Sequence, residues 1–354
     1  MTLPLLTRRG DTFRYDREHG LVHILDRRRY PNDAVFVICD TTEDVADAIT
    51  TMIVQGGPPL AYVAGYGLAL AARQHQDWPT EQQRAALIQA AEMLRTTRPT
   101  ADDLHAILDA ALRLADDALL NGQPAEPVIA DFVASEVERG DAVSEACGRY
   151  AAGLLNDGAT LLTHCFAGAA LNWMLYVAHV EQGKQLHLYA NETRPYLQGA
   201  RLTAHQAHEI GVQVTLLTDN MAGFCFSRNM FTRYITAADR IALDGSIANK
   251  VGTYQYAVLA QRHGVPFYVL GYDGPDPQTA SGTEIPIEER QPDEVLHCAG
   301  VRTAPAGVGG YYPAFDVTPP DLVTAIVTER GVFTPAEMAD YHDIDNRRDG
   351  GVFS

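Results

Sequence analysis

The sequence predicts an α/β protein, with a mainly helical first third followed by strands and helices in alternation. Three observations carry that prediction. Before residue 121 the apolar residues recur at helical spacing, with capping signals between the runs. After Ala159, short apolar runs alternate with helical patterns, which is the rhythm of βαβ units on a parallel sheet. Between the halves, "NGQPAEP" at residues 121–127 is the sharpest break in composition, and it divides the 354 residues into domains of 1–125 and 126–354.

The elements follow in order. "LVHILDRRRYP" and "AVFVICD" read as a short β region ending near Thr41. "TTEDVADAITTMIVQ" reads as a helix, with Thr at its cap, acids in its first turn, and Val45, Ile49 and Ile53 on one face. "GGPPLAYVAGYGLALAARQ" places paired glycines and then prolines at a helix start. "TEQQRAALIQAAEMLRTT" is a further helix, and "RPTADDLHAILDAALRLADDALL" another with its cap near Thr100. "IADFVASEVERGDAVSEACGRYAAGLL" is a long amphipathic segment leading into the second domain. There "TLLTH", "QLHLYAN", "VQVTLLTDN", "ADRIALDG" and "VPFYVLGY" read as strands. "AALNWMLYVAHVEQG", "LQGARLTAHQAHEIG" and "IANKVGTYQYAVLAQRHG" read as the helices between them. The tail "YHDIDNRRDGGVFS" is polar and reads as a surface extension.

Composition narrows the function. A net charge of −18 argues against nucleic acid or anionic membrane as partner, since both need basic surface. Cys39, Cys147, Cys165, Cys225 and Cys298 are odd in number and lack CxxC spacing, which suggests reduced thiols in a cytoplasm. The opening residues lack the apolar core of a signal peptide, and "PPLAYVAGYGLALAA" is too short and too rich in small residues to span a membrane. A soluble, cytoplasmic protein is expected. No glycine-rich nucleotide motif follows a strand, and no metal-ligand spacing occurs, so neither cofactor nor metal is expected.

In open parallel sheets ligands lie beyond the carboxyl ends of the strands. Here those ends carry His164 and Cys165, then Asn191, Glu192, Thr193 and Arg194, then Asp219 and Asn220, then Asp239, Asp244, Asn249 and Lys250. Any one of these could be a loop cap. Four successive polar edges point to a site. Neighbouring side chains in a strand face opposite ways, so His164 and Cys165 do not make a catalytic dyad.

Several stretches in sequence order resemble the S-methyl-5-thioribose-1-phosphate isomerases. They are "TMIVQGGPPLAYVAGYGLALAA", "RPTADDL", "LTHCFAGAA", "ETRPYLQGARLTA", "TDNMAG", "ADRIALDGSIANKVGTYQYAVLA" and "PAFDVTPPDLVTAIVTERGV". The family is itself similar to ribose 1,5-bisphosphate isomerase and to subunits of the guanine-nucleotide exchange factor of translation initiation. The resemblance implies a Rossmann-like second domain, a homodimer, a sugar-phosphate ligand, and aldose–ketose isomerisation that keeps phosphate on C1, a reaction related to methionine salvage. Carried over by motif, the catalytic cysteine falls on Cys165 and the catalytic aspartate on Asp239. The substrate-binding positions fall on Gln198, Asn249, Lys250 and Arg98, and the phosphate-binding turn on Gln55, Gly56 and Gly57.

The chemistry suits these residue types. A sugar 1-phosphate has no free aldehyde, so its ring oxygen must be protonated while C2 loses a proton or passes hydride to C1. An aspartate kept partly neutral in a dry pocket can supply that proton, which makes Asp239 the candidate acid. Cys165 would take the C2 proton or sit beside the reacting carbons, and the helix start after Phe166 is expected to lower its thiol pKa. The glycines and the proline-opened helix would let the backbone approach phosphate, with Lys250, just inside a helix start, and Arg98 adding charge. Gln198 and Asn249 would hold sugar hydroxyls.

Three positions depart from the family pattern. Gln55 stands where the family has arginine, Phe166 follows the cysteine where it has asparagine, and Tyr312 replaces another asparagine. Losing the guanidinium removes a charge-assisted, bidentate phosphate partner. The expectation is retained chemistry on a 5-substituted 5-deoxyribose 1-phosphate, either S-methyl-5-thioribose 1-phosphate or an analogue. Two alternatives stay open: a non-catalytic sugar-phosphate- or nucleotide-binding regulator, and an isomerase of a sugar lacking the usual phosphate.

Overall fold

In the computed structural model, which describes residues 3–98 and 101–343, the helical first third is built around one helix that is apolar on every side. Before it, β1 (Phe13–Asp16), β2 (Leu21–Leu25) and β3 (Phe36–Cys39) form an antiparallel sheet in that order. The last two are the expected β region. β1, "FRYD", is too polar to stand out in the sequence. Thr41 caps α1 (Thr42–Thr50): its hydroxyl oxygen accepts the Asp44 N–H at 3.1 Å, and the Asp44 carboxylate accepts the Thr41 N–H at 3.2 Å. Val45, Ile49 and, beyond the helix end, Ile53 are buried as expected.

α2 (Gly57–Gln74) is buried at every residue from Leu60 to Ala72, so other elements must surround it. α3 (Thr80–Thr97) and α4 (Asp102–Leu120) pack against it. Glycine makes the close approach possible: a Cβ on Gly65 would lie 2.6 Å from Val133, and one on Gly67 would lie 2.9 Å from Val45. Thr100, the expected cap of α4, lies outside the described residues.

α5 (Ala125–Gly153) serves two cores. Ile129, Ala130, Val133 and Val137 join the core of the helical third, whereas Cys147, Ala151 and Ala152 join that of the sheet. By contact the chain therefore falls into Arg8–Ala142 and into Val143–Ser354 with Met1–Thr7. The division expected from composition, at 125/126, coincides with the first turn of α5. The packing boundary falls inside that helix, because an uninterrupted amphipathic helix shows no break in composition where it changes partners. The amino-terminal segment joins the second unit through the Leu6 N–H, which donates to the Gln206 amide oxygen at 3.1 Å.

The second unit opens with β4 (Ala159–Thr163), α6 (Gly168–Tyr176), β5 (Leu186–Asn191), α7 (Ala204–Ile210), β6 (Gln213–Leu217) and α8 (Ala222–Ser227). β7 (Arg233–Ala237), β8 (Arg240–Ile241), β9 (Ile247–Lys250), α9 (Thr253–Arg262) and β10 (Phe267–Tyr272) follow. β11 (His297–Cys298) pairs with β12 (Val301–Arg302), and β13 (Phe315–Thr318), β14 (Ala325–Thr328) and β15 (Gly331–Phe333) complete the strands. The main sheet runs β15-β14-β10-β7-β4-β5-β6, parallel except for the β14–β15 edge. From β4 the chain winds outward to β6, then returns to β7 and winds the other way. This is Rossmann order, with its switch point between β4 and β7.

Two expectations need correction here. "ADRIALDG" is not the fourth parallel strand. That place belongs to "RYITA", whose Tyr234, Ile235 and Thr236 are all buried, and the two apolar runs lie so close in sequence that only one can enter the sheet. β8 instead joins β9 and β13 in a small antiparallel sheet. Consequently "IANK" is a strand, and Lys250 ends β9 rather than starting a helix. The tail is also partly structural: Tyr341 is buried against Phe333, ring centroids 5.2 Å apart, and its hydroxyl lies 3.0 Å from that of Thr328. Residues beyond 343 lie outside the described set. The five cysteines are free, and among the described residues no helix is long and apolar enough to cross a membrane.

Thr41→Ala removes half of the reciprocal cap and should lower stability by about 1 kcal/mol, read as a lower urea midpoint with unchanged slope. An unchanged midpoint would show that the cap contributes nothing.

Candidate active site

The switch point sets two polar segments next to each other, His164–Cys165 after β4 and Ala238–Asp239 after β7. Cys165 has φ 63°, in the left-handed region where a non-glycine residue stores about 1–3 kcal/mol. Hydrogen bonds hold it there. Its N–H donates to the Thr193 hydroxyl oxygen at 2.9 Å, and its carbonyl accepts the Thr203 hydroxyl at 2.6 Å. Thr193 (φ 65°) and Leu197 (φ 59°) share the same strained backbone. The Thr193 and Arg194 N–H groups donate to the two carboxylate oxygens of Asp219 at 2.8 and 2.7 Å, which fixes this loop from below.

His164 faces elsewhere. Its Nε2 lies 2.9 Å from the Val251 carbonyl, which requires the proton on Nε2, and its ring meets Tyr256 edge-on at 4.9 Å. Burial pushes its pKa down to about 4, so it is neutral. Its own carbonyl accepts the Thr236 hydroxyl at 2.8 Å, tying the end of β4 to β7.

The Lys250 charge acts on both Cys165 and Asp239, and the Asp239 charge acts on Cys165. Lys250 is almost fully buried, with its ammonium 4.8 Å above the Phe315 ring and 3.3 Å from the Tyr312 hydroxyl. Burial lowers its pKa and the Arg290 charge lowers it further, while Cys165 and Asp239 oppose the shift. Asp239 keeps an open side to solvent but is hemmed by protein; this lost hydration raises its pKa, against the pull of Lys250 and Arg290. Arg290 is itself engaged by Glu288 through two bonds of 3.0 Å.

The thiol departs from the sequence expectation. α6 does begin just past Phe166, yet lost hydration pushes the Cys165 thiol up to about 11. Lys250 and the Phe166 N–H lower it, but by less. The expected depression fails because a short helix start partly covered by protein cannot replace water around a thiolate.

The remaining predicted residues of this unit divide. Gln198 leaves its buried amide oxygen without a hydrogen-bond partner. Asn249 instead donates to the Thr253 and Thr236 hydroxyls at 2.9 and 3.3 Å, so its amide nitrogen braces β9 against its neighbours. Gln198 is held by its neighbour: a Cβ on Gly199 would collide with the Asn191 carbonyl oxygen. Asn191 was among the polar strand ends marked in the sequence, whereas Arg290 and Asp316 were not singled out. Asn191 is fully buried with both side-chain polar atoms unpartnered. Asp316 accepts the Gly252 and Tyr254 N–H groups at 2.6 and 3.1 Å, capping α9, and burial raises its pKa to about 6. An orphaned polar atom leaves no trace in a sequence.

Gln55, Gly56, Gly57 and Arg98 belong to the other unit, Arg8–Ala142. Gln55 turns its amide back to donate to the Met52 carbonyl at 3.1 Å, and an Arg98 guanidinium nitrogen touches the Met52 sulfur. Gly56, at φ 94°, carries the chain into α2.

A Rossmann-ordered sheet with a thiol and a carboxyl at its switch point, and a buried ammonium whose charge reaches both, is an arrangement suited to an α/β enzyme of small molecules. The chain belongs to the initiation factor 2 subunit family, whose sequence profile matches residues 53–335. It is 43% identical over 326 residues to a protein of Thermotoga neapolitana named methylthioribose-1-phosphate isomerase, covering 89% of this chain and 92% of that one. Among solved structures it is similar to 5-methylthioribose 1-phosphate isomerase from Pyrococcus horikoshii OT3, with a TM-score of 0.82, 36% identity and 94% of each chain covered. It is also similar to translation initiation factor eIF-2B subunit delta from A. fulgidus, with a TM-score of 0.77, 34% identity, and 92% of this chain and 96% of that one covered. At this likeness to isomerases over most of its length, the chain is an isomerase.

A raised thiol pKa has a direct readout. Iodoacetamide should label Cys165 with a rate still climbing at about pH 9.5, and Lys250→Gln, which removes a lowering charge, should slow it further. A rate at Cys165 that levels off by neutral pH, followed by peptide mass spectrometry, would contradict this electrostatic picture.

Proposed function

We propose that the chain interconverts a 5-substituted 5-deoxyribose 1-phosphate, S-methyl-5-thioribose 1-phosphate or a close analogue, with the matching ribulose 1-phosphate. The observation that supports this most is a buried ammonium, Lys250, whose charge acts on both Cys165 and Asp239, the groups that follow β4 and β7. Likeness to proteins named for that reaction supplies the substrate class.

Asp239 is the acid. Its raised pKa keeps a larger fraction protonated near neutrality, and that proton goes to the ring oxygen as the C1–O4 bond breaks. C1 is left electron-poor, stabilised by the phosphate-bearing oxygen. The hydrogen on C2 then moves to C1 with its electron pair, the C2 hydroxyl becomes a carbonyl, and its proton returns to the Asp239 carboxylate. Atoms and charge balance without any outside reductant.

A proton route through Cys165 would need thiolate. With the thiol pushed up to about 11, only ~1 in 10⁴ molecules carries thiolate at neutral pH, a penalty of several kcal/mol. Direct hydride passage avoids it. In this reading Cys165 is a neutral, polarisable sulfur beside the cationic carbon. The Lys250 positive charge favours loss of the C2 hydroxyl proton, and Gln198 offers its unpartnered amide oxygen to a sugar hydroxyl. Asn249 becomes a brace. The homodimer implied by the family likeness belongs to the same reading, and a solution mass checks it.

The test is conversion of S-methyl-5-thioribose 1-phosphate and C5-varied analogues to ketose phosphate. Asp239→Asn and Cys165→Ser should each lower kcat by about 10²–10⁴; full activity in both would end the assignment. Because the acid must be protonated, kcat should fall as pH rises through the raised Asp239 pKa. In deuterated water the product should carry no solvent deuterium at C1, whereas incorporation would restore the proton route. Tight binding without turnover would instead favour a regulatory protein.

A further inference from the structure

We propose that His164 is a positioning residue, whose ring holds the Lys250 strand end against the strand end that carries Cys165. The proposal rests on the reading of Cys165, Asp239 and Lys250 as the reacting site. It gives a task to a buried histidine that no step of the reaction uses. Cys165 follows β4 of the main sheet, whereas Lys250 ends β9 of the small antiparallel one. Strand pairing runs within a sheet, so side chains must set these two ends against each other.

Two connections do so, and His164 stands in both. The direct one is its ring, 1% exposed, whose Nε2–H donates at 2.9 Å to the carbonyl of Val251, the residue after Lys250. Val251 is held from its other side as well, its N–H donating to the Ala314 carbonyl at 3.1 Å. Gly252 gives the ring room: at φ 109° there, a Cβ would lie 3.0 Å from Nε2. The second connection is a relay of buried side chains. The Thr236 hydroxyl donates to the His164 carbonyl at 2.8 Å and accepts the Asn249 amide at 3.3 Å. Asn249 also donates to the Thr253 hydroxyl at 2.9 Å, which donates in turn to the Lys250 carbonyl at 2.8 Å. The circuit closes on residue 164, through its backbone at one end and its ring at the other. Only the ring end depends on that residue being histidine. Burial keeps the imidazole neutral, with the Lys250 charge acting the same way against the Val251 bond and Asp219. Nδ1 is then an acceptor, 3.5 Å from the Thr193 hydroxyl. A neutral donor suits this place, since an imidazolium would set a second cation beside Lys250.

The experiment compares His164→Asn and His164→Gln, each alone and combined with Lys250→Gln. A glutamine amide reaches the place of Nε2 and can donate to Val251, whereas an asparagine amide stops near the place of Nδ1. His164→Asn should lower kcat for S-methyl-5-thioribose 1-phosphate about tenfold and slow iodoacetamide labelling of Cys165 about threefold. His164→Gln should restore most of both. With Lys250→Gln already in place, His164→Asn should slow labelling no further, because no ammonium is left to position. Equal slowing with and without the lysine would show that residue 164 acts on the thiol through its own backbone. Unchanged labelling and kcat in His164→Asn would show that the ring bond carries nothing. Either result overturns the proposal. If His164→Asn does not fold, judged by near-ultraviolet dichroism, the wild-type ring decides: nitrogen-15 NMR at neutral pH should show the uncharged Nε2–H tautomer. An imidazolium or an Nδ1–H form would refute the role. Absence of turnover in wild type would defeat the parent reading, while the labelling cycle, which needs no substrate, would still decide His164.

Discussion

The second unit depends on a buried ammonium, Lys250, whose charge reaches Cys165 and Asp239 without being neutralised by either. A lysine and an aspartate in direct contact would satisfy each other and leave nothing for a ligand. Here Lys250 is held instead by aromatic faces and the Tyr312 hydroxyl, which tolerate a cation without neutralising it. Arg290 could quench Asp239, but Glu288 grips it with a two-pronged contact. The site is thus poised by the way its potential partners are occupied.

The backbone that carries the thiol is held under strain. Three non-glycine residues at positive φ, Cys165, Thr193 and Leu197, lie within one hydrogen-bonded loop system. Each alone would relax. They persist because Asp219 fixes two consecutive N–H groups and Thr203 clamps the Cys165 carbonyl, so no single torsion can change without breaking a bond elsewhere. A thiol placed by such a clamp does not wander with its rotamer alone; its whole backbone is positioned.

How much of this could be read beforehand depended on the kind of signal. Helices with periodic apolar faces were legible, down to Thr41 as a cap, because local chemistry decides them. The thiol at a strand end was legible for the same reason, and resemblance supplied Asp239. What stayed hidden was non-local. "RYITA" and "RIALDG" look alike as apolar runs, and only sheet pairing with β4 and β10 selects the first. That one misassignment turned "IANK" into a helix start and misplaced Lys250. The thiol pKa was misjudged because hydration loss is a sum over surrounding atoms, whereas the sequence shows only the helix that follows.

Tyr272 accounts for a further contrast with the nucleotide-binding version of this strand order. There the helix after the first strand presents free N–H groups to a pyrophosphate, and glycines keep the approach open. Here Tyr272, at the end of β10, places its hydroxyl oxygen 3.3 Å from the Ala170 N–H and donates to the Ala167 carbonyl at 2.7 Å. Gly168 is required for that contact, since a Cβ there would collide with the same hydroxyl. The α6 start is therefore filled from within the protein, and its glycine accommodates a tyrosine rather than a phosphate. A glycine after a strand is not evidence of an anion site until the occupant of the space it opens is known.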